Sequence, residues 1–123
     1  MGKLESYRDL EVWKVSMGLA KQVYQATEAM PKHEIYGLTS QIRRACVSEP
    51  ANIAEGYGRN HCKEYIQFLG IANGSLKELE TLLLLANSLN YIDDITELMS
   101  LCESAGRLLY RLRQSLQRRI DNN

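Results

Sequence analysis

Apolar residues recur at three- and four-residue intervals through four long stretches of the chain, and none of them alternates with the period of two that marks a half-buried strand. The spacing predicts helices over about 10–29, 38–56, 61–89 and 94–120. Met30-Pro31 stops the first, because proline cannot continue the helical hydrogen-bond ladder. The linker MPKHEIYG leads to the second, which Gly56 and Gly58 end. Asn60 is placed to cap the third. Asn90-Tyr91-Ile92 turns the chain, and Asp93 or Asp94 caps the fourth. Short connections make consecutive helices antiparallel neighbours. The expected fold is therefore all-α, an up-down-up-down four-helix bundle forming a single domain over 1–123.

The first helix carries more apolar surface than one core-facing stripe. Leu10, Trp13, Met17, Ala20 and Tyr24 share one side, and Val12, Val15, Leu19, Val23, Ala26 and Met30 share another. The third helix repeats the pattern. Tyr65, Phe68, Leu69, Ala72, Leu76, Leu79, Leu83 and Ala86 form its core stripe, with Ile66, Ile71, Leu84 and Leu85 off it. Contiguous exposed apolar surface marks a contact. Self-association is expected, with Val12, Val15, Leu19, Val23, Ile66 and Leu84 as candidate interface residues. The alternative is an irregular bundle that buries both stripes itself.

Composition narrows the classes of function. The chain of 123 residues is 45% apolar and 24% charged, as globular domains are, with fifteen basic residues against fifteen acidic ones. Zero net charge means that any nucleic-acid contact comes from a local patch. No stretch is apolar and long enough for a membrane span, and the charged MGKLESYRDLEVWK start lacks the apolar run of a secretory signal. Gly2 and Ser6 fit only the loose pattern for N-myristoylation. A cytoplasmic protein is expected. Cys46, Cys62 and Cys102 form no C-x-x-C pair and read as reduced thiols, with Cys46 and Cys102 as small core residues.

The second helix holds the densest pattern, LTSQIRRACVSEPANIAEGYGR. Gln41, Arg44, Ser48, Asn52, Glu55 and Arg59 share one face, beside the apolar Leu38, Ile42, Ala45, Cys46, Ile53 and Gly56. The polar stripe reads first as a structural network that sets helix register, with Arg44 and Glu55 neutralising neighbours. Pro50 inside the pattern removes a backbone hydrogen bond and predicts a kink, where Ser48 is placed to satisfy a freed carbonyl. Glu49 falls in the apolar arc. Three outcomes are open for it: the kink turns it outward, it meets an arginine of helix four or of a neighbouring subunit, or it is a tolerated rim position. An unpaired buried carboxylate would be pushed toward protonation.

These segments resemble the four-helix-bundle family of 23S ribosomal RNA intervening-sequence proteins. YRDLEVWK is similar to that family's opening of an aromatic, a basic residue, Asp, Leu, a variable residue, Val and Trp. GLTSQIRRACVSEPANIAEGYGR is similar to its central signature and FLGIANGSLKELETLL to that of its third helix, in the same order and spacing. Position 49 departs from the pattern, which is usually aliphatic before the proline. The resemblance implies an antiparallel four-helix bundle assembling into a ring, commonly a homopentamer, and carries over no catalytic residues. Family members are encoded within intervening sequences of bacterial 23S ribosomal RNA genes or stand alone. A more distant similarity is to the accessory variability determinant of diversity-generating retroelements, a basic pentamer that binds a reverse transcriptase and RNA.

The fourth helix ends in RLLYRLRQSLQRRI, with no acidic residue between Ser104 and Ile120. Arg107, Arg111 and Arg118 fall opposite the apolar stripe, and Arg44, Arg59 and Lys63 are candidates to extend the patch. Cations at a helix C-terminus also complement its dipole. The guanidinium fork suits phosphate oxygens, and Tyr110 beside the patch is placed to stack on a base. Enzyme chemistry is not expected. His33 and His61 lack metal-site spacing, the Cys62-His61 neighbours diverge around a helix, and no phosphate loop is present. No cofactor, metal or small-molecule substrate is expected. The sequence thus reads as a non-catalytic oligomeric binding protein contacting structured RNA or a nucleic-acid enzyme. The alternative is a scaffold ring with no nucleic-acid contact.

Overall fold

A computed structural model describes residues 5–122, so the Gly2 start lies outside the described residues. The described residues form four helices, α1 (Glu11–Thr27), α2 (Leu38–Tyr57), α3 (Cys62–Ser88) and α4 (Thr96–Asp121), with single 3-10 turns at Tyr7–Asp9 and Lys32–Glu34. No strand occurs among the described residues, and none of the helices is long and apolar enough to cross a membrane. The opening motif is structural. The Asp9 carboxylate accepts the backbone N–H groups of Glu5 and Ser6 at 3.0 and 3.2 Å, and Tyr7 packs edge-on to Trp13 with ring centres 5.3 Å apart.

Several helix ends have an identifiable cause. At the close of α1 the Thr27 hydroxyl folds back on the carbonyls of Val23 and Tyr24, at 2.8 and 3.1 Å. Arg43 of α2 donates its Nε to that hydroxyl at 2.9 Å and lays its guanidinium 4.7 Å from the centre of the Tyr24 ring. The Tyr24 carbonyl, near the end of the helix, is also met from the next helix by Arg43 Nη2 at 3.4 Å. Glu34 accepts the Leu38 N–H at 3.1 Å and caps α2. Gly37 allows this, since a Cβ there would sit 2.6 Å from the Glu34 carboxylate oxygen. Asn90, at φ 63°, supplies the left-handed turn after α3. The Asp94 carboxylate then accepts the Thr96 N–H at 2.9 Å. His61 takes the cap position before α3 instead of Asn60.

α1 packs on α2 and α4, and α3 packs on the same two helices. Contacting residues rise in number on one helix as they fall on its neighbour: Ser16 with Glu49 and Thr27 with Arg43, then Ser48 with Ser75 and Gly56 with Phe68. The shared core is built from Leu19, Val23, Ile42, Ile53, Leu69, Leu76, Leu79, Leu83 and Leu109, all at most 1% exposed. α2 and α3 make the most extensive seam. α2 runs uninterrupted through Pro50. The Ser48 hydroxyl is held by Ser75 at 2.9 Å and by the Asn52 amide at 3.1 Å, rather than serving a freed carbonyl near the proline.

The apolar stripes of α1 sort differently from expectation. Val12, Leu19 and Val23 are buried inside the protomer, so they are not interface residues. Val15 and Ile66 are half-buried against the same core. α1 is covered from two sides, by α2 and α4, and needs a wide apolar arc to fill both contacts. Of the large apolar residues of α1 and α3, those in solvent are Met17 and Tyr24 on α1 and Ile71, Leu84 and Leu85 on α3, with Leu89 just after it.

Gly56 sets the closeness of the α2–α3 seam. A Cβ there would lie 2.8 Å from the Phe68 Cβ and 3.0 Å from the Tyr65 ring, so the helices would have to separate. Gly56→Ala is expected to cost about 1–3 kcal/mol, the usual range for overpacking. Urea denaturation checks this, and a variant as stable as the parent would show that the seam has slack.

Candidate functional site

A groove of about 950 Å³ lies between α3 and α4. Gly106 faces Leu76, and Gly70 leaves room for the Arg113 guanidinium 3.9 Å from where its Cβ would be. Lys77 contributes from α3, and Arg107, Tyr110, Arg111 and Arg113 from α4. Two of the four cations are partly neutralised locally. Lys77 meets Glu80 at 3.4 Å, and Arg107 meets Glu103 at 2.9 Å and the Ser104 hydroxyl at 3.3 Å. Among the described residues Arg111 and Arg113 have no acidic partner, which leaves two guanidinium forks free for an anion. Tyr110 is 62% exposed at the groove edge and accepts a 2.7 Å hydrogen bond from Gln114.

The expected basic face is only partly brought together. Arg107 and Arg111 line the groove, while Arg118 is exposed further along α4 and lines no part of it. Arg44 lies in a different groove, formed by the end of α1 and the start of α2. Arg59 pairs with Glu55 at 3.1 Å and stacks 4.6 Å from the centre of the Phe68 ring. Lys63 is exposed in the first turn of α3. Arg44 and Arg59 do not extend the α4 patch, because each lines a different opening. Lys77 and Arg113 were not singled out by spacing. They enter the groove because α3 packs beside α4, a pairing that spacing along either helix does not show.

The polar face of α2 is a network along the α3 seam. Asn52 donates to the Ser48 carbonyl at 2.8 Å and to its hydroxyl, which in turn meets Ser75. Glu55 is neutralised by Arg59, not by Arg44, and Gln41 is exposed.

Glu49 is neither turned outward nor paired with an arginine. It is fully buried, and its Oε2 accepts a 2.6 Å hydrogen bond from the Ser16 hydroxyl, itself fully buried on α1. Its Oε1 has no hydrogen-bond partner. Burial raises this carboxyl from the ordinary 4.5 to about 7, and the Ser16 hydrogen bond draws it back only in part. Burial also pushes the Cys46 thiol up to about 11 and the Cys102 thiol up to about 12, and the charge of Glu49 adds to both. These thiols are held protonated and inert.

A helical protein with a basic groove between two of its helices, a polar network along another seam and a lone acid in its core is a broad class. Comparison with protein families makes it specific. The family model of the 23S rRNA-intervening sequence proteins matches residues 8–111, and the chain belongs to that family. The match takes in Glu49, Lys77, Arg107 and Arg111 and ends before Arg113 and Arg118. No curated protein matches the chain.

The raised Glu49 carboxyl has a consequence for stability. The folded chain keeps a proton that the unfolded chain releases. Stability is therefore full below about pH 4.5, falls as pH rises toward about 7, and levels off above it. The total loss is on the order of 3 kcal/mol. Glu49→Gln is expected to remove this slope and to exceed the parent in stability at pH 8. Urea midpoints across pH 4.5–8 check it, and parallel parent and variant curves would mean that the carboxyl is solvated.

Proposed function

We propose that this chain is a non-catalytic binding protein that holds structured RNA in the α3–α4 groove. The observation that carries this reading is the pair of unpartnered guanidiniums of Arg111 and Arg113 beside the exposed ring of Tyr110 in one open groove. Arginine forks take phosphate oxygens in pairs, and a neighbouring ring offers a stacking surface for an unpaired base. Neither a net positive charge nor a catalytic group is needed for such contacts.

The reading includes an assembly. The opposed numbering of the contacting pairs supports an antiparallel, up-down-up-down arrangement of the helices. Met17, Tyr24, Ile71, Leu84, Leu85 and Leu89, each at least 42% exposed, support self-association. A ring of five follows the family resemblance, and a cytoplasmic setting follows the reduced thiols. Repeating the groove around a ring would multiply a modest single-site affinity. A partner protein that processes RNA would reach the same groove through its bound nucleic acid.

Binding to a fluorescein-labelled RNA hairpin, measured by anisotropy across a salt series, tests the groove. Affinity is expected to fall steeply with salt, because phosphate contacts release counterions. Combining Arg107→Ala, Arg111→Ala and Arg113→Ala is expected to weaken binding and to flatten the log–log salt slope by about two to three. Salt-indifferent binding, or full affinity in the triple variant, would reject it. Light scattering of the parent and of Leu84→Glu with Leu85→Glu tests the assembly, which predicts a multiple of 14.0 kDa that the variant loses.

A further inference from the structure

A second groove, of about 580 Å³, is formed by the end of α1, the linker and the first turns of α2. Its composition differs from that of the α3–α4 groove. Tyr36 is 95% exposed, Ile35 55%, Val47 46% and Tyr24 42%, so four large apolar side chains surround one opening. Tyr36 is not on a loose segment: the N–H groups on either side of it, of Ile35 and Gly37, donate to the carbonyls of Lys32 and Glu34 at 3.2 and 2.9 Å. The ring is thus presented to solvent by an ordered backbone.

The polar groups in this groove have one sign and one free member. Arg43 and Arg44 line it, and no acidic side chain does. Arg43 is engaged, holding Thr27 and the Tyr24 carbonyl and lying on the Tyr24 ring. Arg44 is exposed and among the described residues has neither an acidic partner nor a side-chain hydrogen bond. Thr39, also a lining residue, is only 5% exposed, and its hydroxyl has no partner. A buried hydroxyl without a partner is costly, and an acceptor brought into the groove would relieve it.

We propose that this groove docks an extended segment of another protein in which an acidic side chain stands beside a large apolar one. The carboxylate takes the Arg44 guanidinium and accepts a hydrogen bond from the Thr39 hydroxyl. The apolar side chain covers Ile35, Val47 and the face of Tyr36. Charge and lining both favour a peptide over RNA: two of the four exposed apolar groups are aliphatic, and one free cation is few for a phosphate backbone. Tyrosine and arginine around a small opening are also the residues that anchor protein interfaces.

The test uses the full chain and an array of hexapeptides, each carrying Asp or Glu next to Leu, Ile or Phe, beside a matched array carrying Asn or Gln. The acidic peptides are expected to bind about tenfold or more tightly than their amide counterparts, as a charge-assisted hydrogen bond requires. Arg44→Glu is expected to abolish that preference, and Tyr36→Ser to weaken binding about tenfold, with both melting temperatures unchanged. Thr39→Val keeps the shape, removes the hydroxyl, and is expected to weaken acidic peptides alone. The proposal is overturned by an array with no acid-dependent binder, or by retained preference in Arg44→Glu. It is equally overturned if the two groove variants change the mass of the assembly, which would make the groove a contact between copies, or lower affinity for the RNA hairpin instead.

Discussion

A carboxyl group sealed from water sits where α1 meets α2, and the arrangement of the protomer follows from how it is accommodated. Glu49 has one hydrogen-bond donor within reach, the hydroxyl of Ser16. A buried acid with a single donor and no cation is tolerated chiefly as the neutral form. Ser16 reaches it from the face of α1 that also carries Val12, Leu19 and Val23 inward. Once Ser16 points at Glu49, Val12, Leu19 and Val23, which lie one or two turns away on the same face, must point inward as well. Met17 and Tyr24 are exposed. The exposed apolar surface of α1 thus lies off the face that holds both the polar contact and the buried apolar residues.

This is also why the sequence was legible in one respect and not in another. The four helices could be read to within two residues at each end, because proline, glycine and the three-to-four spacing leave little freedom there. The choice between the two apolar stripes of α1 could not. Both are wide enough to enter a core. The serine that marks the true inward face looks like an interruption of it until the acid on α2 is placed opposite. Glu49 itself was visible as an acid in an apolar arc, but its partner belongs to a helix 33 positions away.

The basic residues teach the same distinction between spacing along one helix and proximity across several. Arg107 and Arg111 share a face of α4 and end in one groove, as helical periodicity requires. Arg44 and Arg59 line other openings, on the side of the protomer where their helix packs on α1 and α3. Lys77 of α3 and Arg113 of α4 join the groove because the two helices pack side by side, a property that neither helix shows by itself. Charge that sums to zero over the chain is thereby sorted into unlike surfaces: one open and cationic, one apolar with a single free guanidinium.

The Glu34 carboxylate makes two contacts that differ in the length of chain they enclose. It accepts the Leu38 N–H four positions ahead and the Tyr91 hydroxyl, at 3.2 Å, 57 positions ahead. Chain closure over the shorter span forfeits little freedom, whereas the longer one requires α2 and α3 to be in place first. One oxygen therefore serves the start of a helix early in folding. The other ties the two linkers late, when little chain freedom is left to lose, and so it acts as a clasp on a structure already assembled.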